Sequence, residues 1–148
     1  MARYSFEAND TADGTLASGG LLADATTQRR CKIYDWMVGS EATPGDTALL
    51  WVIDRGTTGL GTSSAVTPSP LDLADAVSIT DAGENFSANP TLGVRLISVP
   101  LNQRATFRWV AAPGSELVLP ASANASLLTR TPTSTAIAIS STTFYNEE

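Results

Sequence analysis

Between Arg29 and Arg55 the chain reads RRCKIYDWMVGSEATPGDTALLWVIDR, two apolar runs that each carry a tryptophan, separated by one turn-rich connector. In the first run Cys31, Ile33 and Met37 fall on one face of an extended strand, and Tyr34, Trp36 and Val38 on the other. In the second, Leu49, Trp51 and Ile53 alternate with Leu50 and Val52. Short runs that are apolar on both faces suit central strands covered by a second layer. Gly39, Ser40, Pro44, Gly45 and Asp46 supply turn chemistry between them. The block therefore predicts a β-hairpin or a sheet-to-sheet corner at the centre of an all-β domain.

The rest of the chain has the same texture. Arg3–Ala8 alternates, with Tyr4, Phe6 and Ala8 on one face, and predicts a first strand or an extended arm. Residues 9–28 read as loose, with turns at Asp13-Gly14 and Gly19-Gly20 and room for short strands at 15–17 and 21–23. Residues 56–70 form a long connector with one brief edge strand near 65–67. Further strands are expected at 92–99, 105–111, 116–119, 126–129 and 135–144. Ser69–Ala76 is the one helical candidate, with Ser69 as cap, Pro70 in the first turn, and Asp72 and Asp75 favouring an N-terminal dipole. About eight strands at this spacing, with at most one short helix, indicate a β-sandwich of jelly-roll type. The expected division is an N-terminal arm or first strand with a loose segment over 1–28, then a β-sandwich domain over 29–148.

Composition limits what such a domain can do. At 148 residues the chain is long enough to bury a self-sufficient core. Fifteen acids against nine basic residues leave a net charge of −6, and Lys32 is the single lysine. A phosphate-rich ligand would meet a repulsive field, so nucleic acid is not expected as a partner. The one basic knot, Arg29, Arg30 and Lys32, reads as a solvated strand start or as partners for Asp35 and Asp54. A lone cysteine, Cys31, excludes an internal disulfide, and the absence of histidine excludes a Cys-His pair and imidazole zinc sites. There is no G-x-S-x-G elbow and no phosphate loop, and no two carboxylates stand out as an acid and nucleophile pair. No enzyme activity, cofactor or metal site is expected. No apolar run approaches a membrane span, and the N-terminus lacks a signal-like segment, so synthesis in a cytosol is expected.

The stretch RRCKIYDWMVGSEATP, followed by Leu50-Trp51-Val52-Ile53-Asp54-Arg55 and Thr67-Pro68-Ser69-Pro70-Leu71-Asp72, resembles small virion proteins of tailed bacteriophages, the capsid decoration or cement proteins. Val99–Arg104, Phe107–Gly114 and Leu117–Pro120 fit the same resemblance, which spans most of the chain from about Arg29 onward. The resemblance implies a non-enzymatic structural protein on the capsid exterior. It would bridge subunits of the major capsid protein, with many copies summing modest interfaces. It also implies a homo-oligomer, with a trimer ahead of a dimer.

The candidate interface residues are Tyr4 and Phe6 on an apolar arm, and Arg104 and Arg108 projecting from the polar face of a strand whose other face carries Phe107 and Trp109. The alternative functions are a carbohydrate-binding β-sandwich module, using Trp36, Trp51 or Trp109 to stack on sugars, or another virion part such as a neck or tail-fibre adaptor. All three tryptophans alternate with aliphatic neighbours, which predicts burial.

Overall fold

The computed structural model describes residues 1–133 and 136–148. It is all-β, with twelve strands in two antiparallel sheets. The strands are β1 (Arg3–Thr11), β2 (Ala17–Leu22), β3 (Cys31–Ser40), β4 (Ala48–Gly56), β5 (Thr62–Val66), β6 (Ser69–Pro70), β7 (Asp81–Ala88), β8 (Leu92–Asn102), β9 (Phe107–Val110), β10 (Leu117–Leu119), β11 (Ser126–Thr133) and β12 (Ala138–Glu147). Sheet I runs β10-β3-β12-β1-β6, with β9 also on β3, and sheet II runs β5-β7-β2-β11-β4-β8.

The connectivity is that of a jelly roll. β9 pairs with Val38 back to Asp35, and β10 continues along the same edge from Ile33 to Cys31. The two pieces act as one strand interrupted by residues 111–116. Counting them once, sheet I keeps the order β1, β12, β3, β9/β10 and sheet II the order β2, β11, β4, β8, and the chain crosses between sheets as two Greek keys do. The count of about eight strands fits this framework. The extra strands β5, β6 and β7 come from the insertion between β4 and β8, which widens both sheets.

The two tryptophans that dominate the sequence meet in the middle. Trp36 on sheet I and Trp51 on sheet II pack edge to face, with ring centroids 6.4 Å apart. Trp36 also packs edge to face on Phe107, and its Nε1 donates to Thr129 Oγ1 at 3.2 Å. Around them one apolar cluster takes Tyr4, Phe6, Ile33, Val38, Ile139 and Tyr145 from sheet I, and Leu21, Leu49, Ile53 and Leu127 from sheet II. A second small cluster lies elsewhere, formed by Ala17, Phe86 and Leu128 with Leu60 against them.

Several expectations are corrected. Strict alternation placed Ile33 and Trp36 on opposite faces, yet both are buried in the same core. Between its pairs with Phe144 and Tyr145, β3 carries one extra residue, Tyr34, and this bulge shifts the phase so that Cys31, Ile33, Trp36 and Val38 all point inward. Gly19 and Gly20 are not a turn but lie within β2. A Cβ on Gly19 would sit 2.8 Å from Ala8 Cβ, and one on Gly20 2.9 Å from Leu128 Cδ2, so the bare backbone is what lets both neighbours close over the strand. Asp13-Gly14 is a turn as expected, with the Asp13 carboxylate accepting from Thr15 N and Leu16 N.

The expected helix at Ser69–Ala76 is absent. Ser69–Pro70 is extended and pairs with Tyr4–Ser5, and the Asp72 carboxylate caps a local turn by accepting from Ala74 N rather than starting a helix. β7 was not anticipated, since DAGENFSA has little of the β-branched character that marks strands. The strand expected over 135–144 starts at a residue outside those described; residues 138–144 of it lie in β12, and Ala136 and Ile137 precede that strand.

Of the two alternatives for the N-terminus, Arg3–Ala8 is a first strand, within β1, and not a detached arm. β1 lies between β12 and β6, and β2 between β7 and β11, so residues 1–28 supply two inner strands.

Candidate functional site

The ends of a jelly roll differ, and here they differ chemically. One end gathers the connections 12–16, 41–47, 103–106 and the described part of the β11–β12 link. The other gathers both termini, the connections 23–30 and 120–125, and residues 67–80 of the insertion between β4 and β8.

At the terminal end, segment 71–80 is tied down by several bonds. Leu71 N donates to Arg3 O at 2.8 Å, Tyr4 Oη donates to Ala76 O at 3.0 Å, and Asp75 N donates to Asp72 O at 3.0 Å. Glu147, almost fully buried at the end of β12, accepts on one carboxylate oxygen from Ser78 Oγ, Ile79 N, Thr80 N and Thr80 Oγ1. Tyr145 Oη shares a hydrogen bond with Ser78, and Cys31 Sγ lies 3.0 Å from Thr80 Oγ1. Burial pushes the Cys31 thiol up to about 11 and raises the Tyr145 phenol further. This network leaves Leu71, Leu73 and Val77 pointing outward on a fixed backbone, with Leu73 96% exposed and Met1 also bare. Asp72 and Asp75 flank them, and no basic residue lies between Arg55 and Arg95.

An open groove of about 440 Å³ lies on the outer face of sheet I, running from the middle of the sheet toward the opposite end. Its lining includes Met37, Gly39, Thr106, Arg108, Ser140 and Thr142. The register aligns Arg108, Met37, Thr142 and Glu7 across four neighbouring strands, and Gly39 beside Ser140 in the next row. Ser140 Oγ donates to Glu7 Oε1 at 3.3 Å. Arg108 chelates the buried Asp35 carboxylate through Nε, at 3.0 and 3.1 Å, and Nη2. That bond raises the guanidinium's already high pKa.

The four predicted interface residues are thus scattered. Tyr4 and Phe6 are buried in their own core and cannot reach a neighbour in this fold. Arg104 is in the turn after β8, not on a strand, with its backbone N bonded to Asn102 Oδ1 and its Nε 3.5 Å from Pro44 O. Arg108 borders the groove but is committed to Asp35. The partners assigned to the basic knot also change. Asp35 takes Arg108, while Asp54 takes Arg95 and Arg130 at 3.0 and 2.8 Å. Lys32 and Arg29 instead approach Glu148 and Glu147 at the C-terminus.

Trp36 and Trp51 are fully buried and cannot stack on a sugar, while Trp109 is half-buried against the core. Both surfaces described above escaped sequence reasoning. The groove depends on a register between distant strands, and the tip on hydrogen bonds from segment 71–80 to β1 and β12, where local cap residues predict a helix.

Comparison with protein-family models, curated proteins and solved structures finds no match to this chain.

Proposed function

We propose that this chain is a non-enzymatic virion structural protein that sits on the outside of a phage capsid and stabilises the shell by bridging major capsid protein subunits. Two things support the reading: the resemblance carried by the 29–120 block, and the apolar tip at the terminal end of the jelly roll. The tip is the observation that carries it furthest. Singly exposed leucines are ordinary on a protein surface, but Leu71, Leu73 and Val77 lie within seven residues on a backbone held by hydrogen bonds. Ordering this segment in advance lowers the entropic cost of docking. With Asp72 and Asp75 at its rim, the matching surface is an apolar socket edged by basic side chains.

The tip also gives the proposal its orientation, with the terminal end against the shell and the groove facing out. Self-association remains part of the proposal, with a trimer ahead of a dimer. Arg104 is the one member of the predicted interface set left exposed without a carboxylate partner among the described residues. Light scattering should then give three times the 15.4 kDa chain mass, and a monomer at all concentrations would remove self-association from the account.

Co-sedimentation with shells of the phage whose genome carries this gene tests the central reading. Wild-type protein should pellet with shells to a saturating stoichiometry, and Leu73→Asp should lose most of that binding while keeping its circular dichroism. Absence of saturable binding by the wild type would overturn the proposal. Turnover of glycosidase or esterase substrates, abolished by replacing one acid, would overturn its non-enzymatic part.

A further inference from the structure

The outward groove has a composition that the shell reading does not use. A guanidinium has five N–H donors. Asp35 occupies the Nε hydrogen and one on Nη2, which leaves three without a partner among the described residues. The carboxylate therefore acts as a clamp, fixing the plane of Arg108 so that the free end of its fork borders the groove. Beside it lie the hydroxyls of Thr106, Ser140 and Thr142.

Gly39 makes the notch between them. A Cβ there would sit 3.1 Å from Thr106 Cγ2, so any side chain would begin to fill the space. Met37 supplies a flexible, polarisable apolar floor. On the far side the row ends at Glu7, an acceptor three strand spacings, about 14 Å, from Arg108.

Donors at one end, an acceptor at the other, hydroxyls between and an apolar floor together match a ligand that carries many hydroxyls and has C–H faces. Charge decides its class. Arg108 is neutralised by Asp35, Glu7 is near, and the chain carries −6 overall, so the field disfavours an anion. We propose that the groove lined by Met37, Gly39, Thr106, Arg108, Ser140 and Thr142 binds a neutral glycan. This proposal does not depend on the shell reading.

The test is a ¹H–¹⁵N NMR titration of the full chain with maltohexaose, cellohexaose and chitohexaose in turn, and with an oligogalacturonate as the anionic comparator. At least one neutral sugar should give saturable shifts centred on Gly39, Thr106, Arg108, Ser140 and Thr142, binding at least tenfold more tightly than the galacturonate. Arg108→Lys keeps a cation for Asp35 but removes the fork, and Thr142→Val removes a hydroxyl at constant shape. Each should weaken binding several-fold with little change in melting temperature. The proposal is overturned by the absence of saturable shifts with all three neutral sugars at tens of millimolar, by shifts centred elsewhere, by tighter binding of the galacturonate, or by binding that both variants retain.

Discussion

Trp36 shows how much one residue can hold in a two-layer fold. It is fully buried, meets Trp51 across the sheet interface and Phe107 along its own sheet, and satisfies its indole N–H on Thr129. Trp36→Ala should cost about 3 to 5 kcal/mol in a urea titration. Trp109→Ala should cost less, because half-burial leaves less apolar area to lose. Asp54 is a different kind of keystone, since it pairs with Arg95 and Arg130 at once. Asp54→Ala strands Arg130, whose side chain is only 10% exposed, and should cost about 3 to 5 kcal/mol, the range for breaking a buried ion pair from one side.

Cys31 makes stability pH-dependent. Its thiol keeps its proton in the folded state up to about 11 but releases it near 9 when exposed. The folded state therefore holds the extra proton, and stability falls as pH rises through that window. Denaturant midpoints measured from pH 7 to 11 should drop above about pH 9, and Cys31→Ala should flatten the first part of that drop. Tyr145, also raised, leaves a further decline at higher pH in both proteins.

At the scale of elements, the sequence was most legible where a strand is regular. β4 and β12 alternate cleanly, and the identities of the apolar residues in β3 announced a core strand. Its faces were misassigned, because a bulge is a matter of register against β12, and one extra residue such as Tyr34 leaves no mark in composition. β2 was hidden for the opposite reason. Gly19 and Gly20 carry the turn signal, yet here close packing by Ala8, Leu128 and Phe86 demands residues without a side chain. Arg108 was legible as a special residue but not its role, which depends on Asp35 lying diagonally across the β3–β9 pair, 73 residues away in sequence.

The consequence for β1 is testable. A strand hydrogen-bonded to β12 along nine residues and burying Tyr4, Phe6 and Ala8 is part of the core. Deleting Met1–Ala8 should abolish the cooperative thermal transition, whereas a detachable arm would leave it intact.

At the scale of the whole molecule, the jelly roll keeps two surfaces apart. The termini and residues 71–80 of the insertion between β4 and β8 build an apolar, acid-rimmed tip. The hydroxyl-lined groove beside a clamped arginine lies on the outer face of sheet I, away from that tip. The proposed seating of the tip on a capsid shell can be seen by electron cryomicroscopy of particles carrying this protein. Jelly-roll density is expected on the outer capsid lattice, with segment 71–77 against the major capsid protein and the Arg108 groove open to solvent. Density at the neck or tail alone, or density on the lattice with the groove buried and Leu73 in solvent, would contradict it.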